Sequence, residues 1–318
     1  MNAPEHPAGK VRQSWLTRFW AVVRYEMLWN IRKKKFLGVI IVAFILATLG
    51  FALPPILSSA TGQPITLNPE YAVTYSTPAI GLFLFALVTA MNSISSEFES
   101  GTIVPLLTKP VSRTMVFLGK LLATFIIILA TYAVLYVYMV IGSTVVYGGQ
   151  NNLQLVPLGL LGNVVSTFIW VALILAVGAL SKNTIVSAVV AFGFFLALLI
   201  AVPIISVFAG PSTALNLVPG SGAPATLSTV QGTVTIGSGT DNIGTNLIAC
   251  ALYPGANVNF TKTNIQMQTG GTPMVTQSVA YSESLSLVAL RALSVAFVYM
   301  FAFLFIAWIA FKRAQVLE

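Results

Sequence analysis

Hydrophobic residues along the chain fall into six long stretches that carry almost no charge. Each has at least the roughly 20 residues that an α-helix needs to cross a hydrocarbon core about 30 Å thick. The predicted spans are residues 36–57, 78–96, 121–147, 157–180, 184–208 and 285–311. Their apolar runs are continuous rather than alternating, which argues against the strands of a transmembrane barrel. The pattern predicts an all-α polytopic membrane protein with six transmembrane helices.

The segment before the first span has a helical period instead. Trp15, Phe19 and Val23 recur every four residues, while Arg18 and Arg24 fall on other faces. Tryptophan at headgroup level and cations on the wet side are typical of a helix lying in the membrane interface. We therefore predict a basic arm over 1–35 that contains an amphipathic helix.

A long polar insert separates the fifth and sixth spans. Residues 209–283 are rich in Gly, Ser, Thr and Asn, and the runs TVQGTVTIGSG and SVAYSES alternate as strands do. We predict a small β-rich insert, in which Asn259-Phe260-Thr261 is a candidate N-glycosylation site at Asn259. The resulting division of the chain is 1–35, 36–208, 209–283 and 284–318.

Composition and charge agree with a membrane location. The chain is 57% hydrophobic and 8% charged, whereas soluble domains carry about a quarter charged residues. Eight of the sixteen Lys and Arg residues precede residue 36, which indicates a membrane-facing arm rather than a surface for nucleic acid. Placing both termini in the cytoplasm puts fourteen of the sixteen on the cytoplasmic side. We therefore expect a multi-pass protein of the cell membrane with residues 209–283 outside.

The sequence offers no candidate for chemistry of its own. Cys250 and His6 are the single cysteine and histidine, so neither a disulfide framework nor a cysteine-based zinc site is expected. The phosphate-binding pattern G-x-x-x-x-G-K-[ST] does not occur, nor do G-x-S-x-G and H-E-x-x-H. We assign no catalytic residue, no metal site and no cofactor to this chain.

The connection between the second and third spans is the most informative polar segment. Gly101 permits a sharp exit from a helix, Pro105 and Pro110 stiffen the backbone, and Ser112 can cap the next helix. A stiff connector at the membrane surface would pass the movement of a docked protein to both spans. The alternative is a solvated turn whose charges only mark the membrane edge.

Residues 94–123 resemble the ABC type 2 family of ATP-binding-cassette transporter permeases. The resemblance rests on E-x-x-x-G-T from Glu97 to Thr102, P-L-L-x-x-P-V-S-R from Pro105 to Arg113, and L-G-K at 118–120. The basic lead with Glu26 and Arg32, the six spans and the enlarged segment before the last span are also similar to that family. A shorter or helical element often occupies the place of the insert in relatives, which leaves the substrate open.

The resemblance implies a transport function with an external motor. Residues 13–31 would form the family's connecting helix, and 97–114 the coupling element that rests on a separate cytoplasmic ATPase subunit. Two copies of the chain would pair with two such subunits, which carry ATP and Mg²⁺, to form an exporter or flippase. The implied coupling residues are Glu26, Glu97, Glu99, Gly101, Thr102, Pro105, Lys109, Pro110, Arg113, Gly119 and Lys120.

Arg291 and the insert leave alternatives open. An arginine inside the sixth span is either a contact for an anionic substrate or a side chain that reaches back toward Glu283 and the headgroups. A non-transporting anchor that displays a glycosylated insert is the second hypothesis for function. Secondary transport is disfavoured because five of the six predicted spans lack an ionisable residue for ion coupling.

Overall fold

The chain folds into a helical bundle with a small sheet at one end. The computed structural model describes residues 14–32, 34–62, 68–75, 77–101, 112–229, 232–267 and 273–313. The helices of the bundle are α1 (Trp15–Ile31), α2 (Lys34–Ala60), α3 (Tyr71–Thr74), α4 (Ala79–Ala90), α5 (Ser95–Glu99), α6 (Arg113–Tyr147), α7 (Val156–Ser181) and α8 (Thr184–Phe208). The insert contributes helix α9 (Ile243–Leu252), and α10 (Leu285–Arg313) completes the bundle.

Within the described ranges, six helical segments are long and apolar enough to cross a bilayer. They begin and end within a few residues of the predicted spans, except that α6 starts earlier, at Arg113, and that the second span ends in the short helix α5. Ser112 begins α6 as predicted, because its side-chain oxygen accepts a hydrogen bond from the Met115 amide at 3.1 Å.

The fourth span is the central helix of the bundle. In its most apolar stretch 78% of the residues are buried, against 17% in the first span and 22% in the fifth and sixth. The core around it is built from large side chains, among them Trp170, Phe83 and Phe195, whose rings contact one another. Spans one, five and six therefore keep apolar faces that lipid or another chain must cover.

The insert forms a four-stranded antiparallel sheet, as the alternating runs predict. Its strands are β1 (Pro224–Thr229), β2 (Gly232–Gly237), β3 (Asn257–Met267) and β4 (Pro273–Ser284), in the order β2-β1-β3-β4. Val258 and Phe260 of β3 are fully buried and pack with Leu227, Ile236 and Leu285. The sheet therefore shares its core with the start of α10.

The insert also contains helix α9, which the sequence analysis did not predict. Gly162 of α7 and Gly244 of α9 touch backbone to backbone, so that a Cβ on either would overlap the other segment. Ile243 packs with Ile169 of α7 and with Ala292 and Ala296 of α10. Because α9 lies between the fourth and sixth spans, the insert is joined to the bundle through this helix.

Candidate functional site

Lys120 occupies the centre of a buried ionic cluster at one end of the bundle. It lies two turns into α6, and its side chain is 2% exposed. Its Nζ donates to Glu26 Oε1 of α1 at 2.6 Å and to Glu97 Oε1 of α5 at 2.7 Å. A lysine is almost never fully buried unless its charge is paired. One ammonium group thus joins three helices, and we call Glu26, Glu97 and Lys120 the coupling triad, after the role that the family resemblance implies for them.

Close packing of α1 against α6 brings Glu26 to Lys120. The residue before Lys120 is Gly119, where an added Cβ would lie 2.8 Å from Val22 Cγ1 of α1. Val23 on the same face of α1 is fully buried, as is Glu26 one turn further on. Gly119 therefore contributes to the site through the space that it leaves for α1, while the following lysine supplies the charge.

The short helix α5 is also bonded to the fifth span. Glu99 Oε1 accepts a hydrogen bond from the Thr184 amide at 3.0 Å, at the first residue of α8. Thr184 Oγ1 donates to Ser95 Oγ at 3.2 Å, and Lys182 Nζ lies 5.8 Å from the centre of the Phe98 ring. A carboxylate at a helix N-terminus is stabilised by the free amides there and by the helix dipole. Movement of α5 would therefore pull on both α6 and α8.

The end of the sixth span completes this region. Arg113 Nη1 donates to the Lys312 carbonyl oxygen at 2.9 Å. The ring of Phe311 lies about 6 Å from the rings of both Phe98 and Phe117. The starts of α6 and α8 and the ends of α1, α5 and α10 thus meet, and we call this the junction end of the bundle. The opposite end, which carries the sheet and α9, is the insert end.

The residues implied by the family resemblance fall into two groups. Those that the structure describes all lie at the junction end: Glu26, Glu97, Glu99, Gly101, Arg113, Gly119 and Lys120. Gly101 has a φ of 66°, the left-handed conformation that a sharp exit from α5 requires. Thr102, Pro105, Lys109 and Pro110 lie outside the described residues.

Sequence reasoning missed the partners that fix α5 to the fifth span. Thr184 and Ser95 are common residue types, and no local pattern marks them as a pair across 89 positions. The available signal was Asn183, whose side chain accepts from the Val186 amide at 2.9 Å and begins α8. An N-cap next to Lys182 locates the start of a helix, but only the fold shows that Glu99 binds there.

Arg291 and Asn259 lie at the insert end. Arg291 Nη2 is 2.6 Å from Glu283 Oε2. The arginine side chain therefore reaches back toward Glu283, as one of the two interpretations of Arg291 expects. Asn259 belongs to β3, which pairs with β1 on one side and β4 on the other, and its side-chain oxygen accepts from Ser282 Oγ. Glycosylation of Asn259 stays a prediction.

Asp241, a second buried ionisable side chain, lies where the insert contacts the fourth span. Trp170 Nε1 donates to Asp241 Oδ1 at 3.0 Å, and Ser166 Oγ donates to the Thr240 carbonyl oxygen at 2.6 Å. Burial raises the pKa of Asp241 from 3.8 to about 7, although the Trp170 hydrogen bond acts in the opposite direction. Among the residues described, no group of three or more His, Cys, Asp or Glu side chains could hold a metal ion.

These features define a polytopic membrane protein with an ionic junction at one end and a packed insert at the other. Residues 20–316 match the model of the ABC-2 family transporter protein, a stretch that includes the whole coupling triad. The chain belongs to this family, and it is a permease-type membrane component of an ATP-binding-cassette transporter. No curated protein sequence matches the chain.

Proposed function

We propose that two copies of this chain form the translocation path of an ATP-driven exporter or flippase, with the junction end docked on separate cytoplasmic ATPase subunits. The observation that carries the proposal is the coupling triad, because a single buried ammonium joins α1, α5 and α6. In a site of low dielectric constant these bonds are strong, and breaking one leaves a buried charge without its partner. A push on α5 would therefore move the joined helices together.

The arrangement of the junction end supports the direction of docking. The exposed cations Arg32, Lys34 and Lys35 directly follow α1, the helix that carries Glu26. Basic residues that flank spans are retained in the cytoplasm, where ATP is available. We therefore place both termini in the cytoplasm and the sheet of the insert outside the cell.

Two further observations support the proposal, one for the dimer and one for the role of the insert. The fifth and sixth spans bury few residues within one chain, which leaves apolar faces for a second copy. The insert packs against the fourth span through Gly162 and Gly244, and against the sixth span through Ile243 and Ala292. This packing favours a role of the insert in the movement of the bundle over display as a separate domain.

The test is the ATPase activity of the purified complex. The chain is purified from its own membrane, the Walker-motif protein that accompanies it is identified, and ATP hydrolysis is measured with and without the permease. We expect Glu97→Gln and Arg113→Gln to leave assembly intact but to remove the dependence of hydrolysis on the permease. Glu283→Gln, at the insert end, is the matched control and should keep it. Absence of a Walker-motif partner, or normal coupling in both variants, would refute the proposal.

A further inference from the structure

Two apolar grooves run side by side along the first span at the junction end. The first has a volume of about 210 Å³ and lies between α1, α2 and α6, lined among others by Met27, Ile31, Phe36, Ile40, Phe44 and Ala130. The second has a volume of about 360 Å³; it is shallow and open, and all the residues that line it, from Ile40 to Leu49, belong to α2. Ile40 and Phe44 line both grooves and so form the ridge between them.

The dimensions of the grooves match one leaflet of a bilayer. At 1.5 Å per residue, the first groove follows α2 for about 12 Å from Phe36 to Phe44, and the second for about 14 Å from Ile40 to Leu49. Half of a hydrocarbon core about 30 Å thick is about 15 Å. Two grooves of this length on either side of one ridge correspond to the two acyl chains of a phospholipid.

The polar atoms in the grooves need no polar occupant. Thr131 Oγ1 in the first groove donates to the Ile127 carbonyl oxygen at 2.8 Å. Thr48 Oγ1 in the second donates to the Phe44 carbonyl oxygen at 2.7 Å and is bonded to the Tyr138 hydroxyl at 2.6 Å. Since these hydroxyl groups are already satisfied, the occupant only has to be apolar along its length.

The mouth of the grooves carries positive charge. Arg32, at the end of α1, and Lys34 and Lys35, at the start of α2, are exposed and form no ion pair with another described residue. Glu26, the acidic residue of α1, is already bonded to Lys120. These cations are therefore available for an anion at the level of the membrane surface.

We propose that the grooves bind one anionic diacyl phospholipid, with an acyl chain in each groove and the phosphate at Arg32, Lys34 and Lys35. Each basic residue near a membrane surface favours an anionic lipid over a neutral one. A second copy of the chain packed symmetrically across this face would instead bring a further set of the same cations close by. The lipid accounts for both the apolar length and the charge.

Native mass spectrometry of the delipidated full chain tests the site. We expect one phosphatidylglycerol per chain, bound on the order of tenfold more tightly than phosphatidylcholine with the same acyl chains. Lys34→Gln with Lys35→Gln should reduce this preference severalfold, because only Arg32 of the three cations remains. Arg24→Gln with Arg313→Gln removes two exposed cations of the same end and should leave the preference unchanged.

A second pair of variants tests the acyl chains. Ala130→Trp fills the first groove from an exposed position, and we expect it to weaken phosphatidylglycerol binding severalfold while the cations remain. Val145→Trp, at an exposed position on the same helix, should have no effect. Ala130→Leu, a smaller change, should give an intermediate loss.

Three results would overturn the proposal: equal binding of the two lipids, an unchanged preference in the double lysine variant, or unchanged affinity in both Ala130 variants. Inorganic phosphate separates a lipid site from a free-anion site, because competition at millimolar phosphate would mean that the acyl chains contribute nothing. Lipid binding requires that the chain is embedded in a membrane, but it does not require coupling to an ATPase subunit. Failure of this site and failure of ATP coupling are therefore distinguishable in the same preparation.

Discussion

The two ends of the bundle are held together by different kinds of contact. At the junction end one ammonium group bonds to two carboxylates, and the helices it joins lie 94 and 23 positions away in sequence. At the insert end, Gly162 and Gly244 meet through their backbones, and Asp241 receives a hydrogen bond from an uncharged donor. Buried ion pairs are strong only while the charged atoms stay close together, so the helices that they join must move together. Two glycine backbones in contact leave no room for a side chain between them, so the two helices stay at a fixed distance. The junction end is thus suited to transmitting movement between helices, and the insert end to holding α7 and α9 at a fixed distance.

The largest expected effect comes from removing the shared charge at the junction end. Lys120→Met would leave Glu26 and Glu97 buried together without their cation, and breaking a buried pair in this way costs about 3–5 kcal/mol. We expect a fall of several degrees or more in the melting temperature of the detergent-solubilised protein.

Lys182→Met is the matched control, since Lys182 lies at the same end, is only half-buried and contacts the Phe98 ring rather than a carboxylate. A triple variant Lys120→Met, Glu26→Gln, Glu97→Gln should recover much of the lost stability, because it leaves no buried charge. Equal melting temperatures for the Lys120 and Lys182 variants would show that the triad is not a buried ionic cluster.

The stability of the insert end should depend on pH between about 4 and 7, through Asp241. With a pKa of about 7, folded Asp241 keeps its proton between about pH 4 and 7, where the unfolded chain has lost it. The stabilisation linked to this proton is complete below about pH 4 and is lost as the pH rises to 7, a difference of roughly 4 kcal/mol. Among the described residues, those that act on or are acted on by Asp241 are Trp170 and Tyr132, and neither is a cation that would offset its charge at higher pH.

Asp241→Asn keeps the acceptor for Trp170 and removes the charge. We therefore expect it to raise the melting temperature at pH 8 while changing it little at pH 4. Glu70→Gln, at the same end, should not alter the pH dependence. A variant that melts at the wild-type temperature at pH 8 would mean that Asp241 carries no buried charge.

Backbone contact at the insert end gives the next prediction. Gly162→Ala places a methyl group against the backbone of Gly244, which cannot move aside as a side chain would. Overpacking of this kind costs typically 1–3 kcal/mol. Gly193→Ala, also within a span, meets nothing within 4 Å and should be neutral or slightly stabilising. Both are measured by thermal unfolding, and equal effects would show that α9 does not pack closely on the fourth span.

The comparison also shows what a sequence can and cannot reveal. The six spans were predictable because apolar length is a local property, and the β-strands of the insert were visible as alternation. The resemblance placed Glu26, Glu97 and Lys120 in one set, but their pairing depends on the approach of α1 at Gly119. Helix α9 was missed because Gly244, Thr245 and Asn246 interrupt its apolar pattern. In the sequence, Asp241 is indistinguishable from the other polar residues of the insert, and only the fold shows that it is buried.

The smallest expected effect is at the ion pair of Arg291 and Glu283, whose side chains are 17% and 15% exposed. A pair that retains solvent contact contributes about 1 kcal/mol or less. We expect the double variant Arg291→Leu, Glu283→Gln to lower the melting temperature by only a few degrees and to leave permease-dependent ATP hydrolysis unchanged. Arg291→Leu alone should be the less stable of the two, because it leaves Glu283 without its cation. If the double variant is abundant and folded but has lost permease-dependent hydrolysis, Arg291 takes part in transport. The insert end would then do more than hold α7 and α9 at a fixed distance.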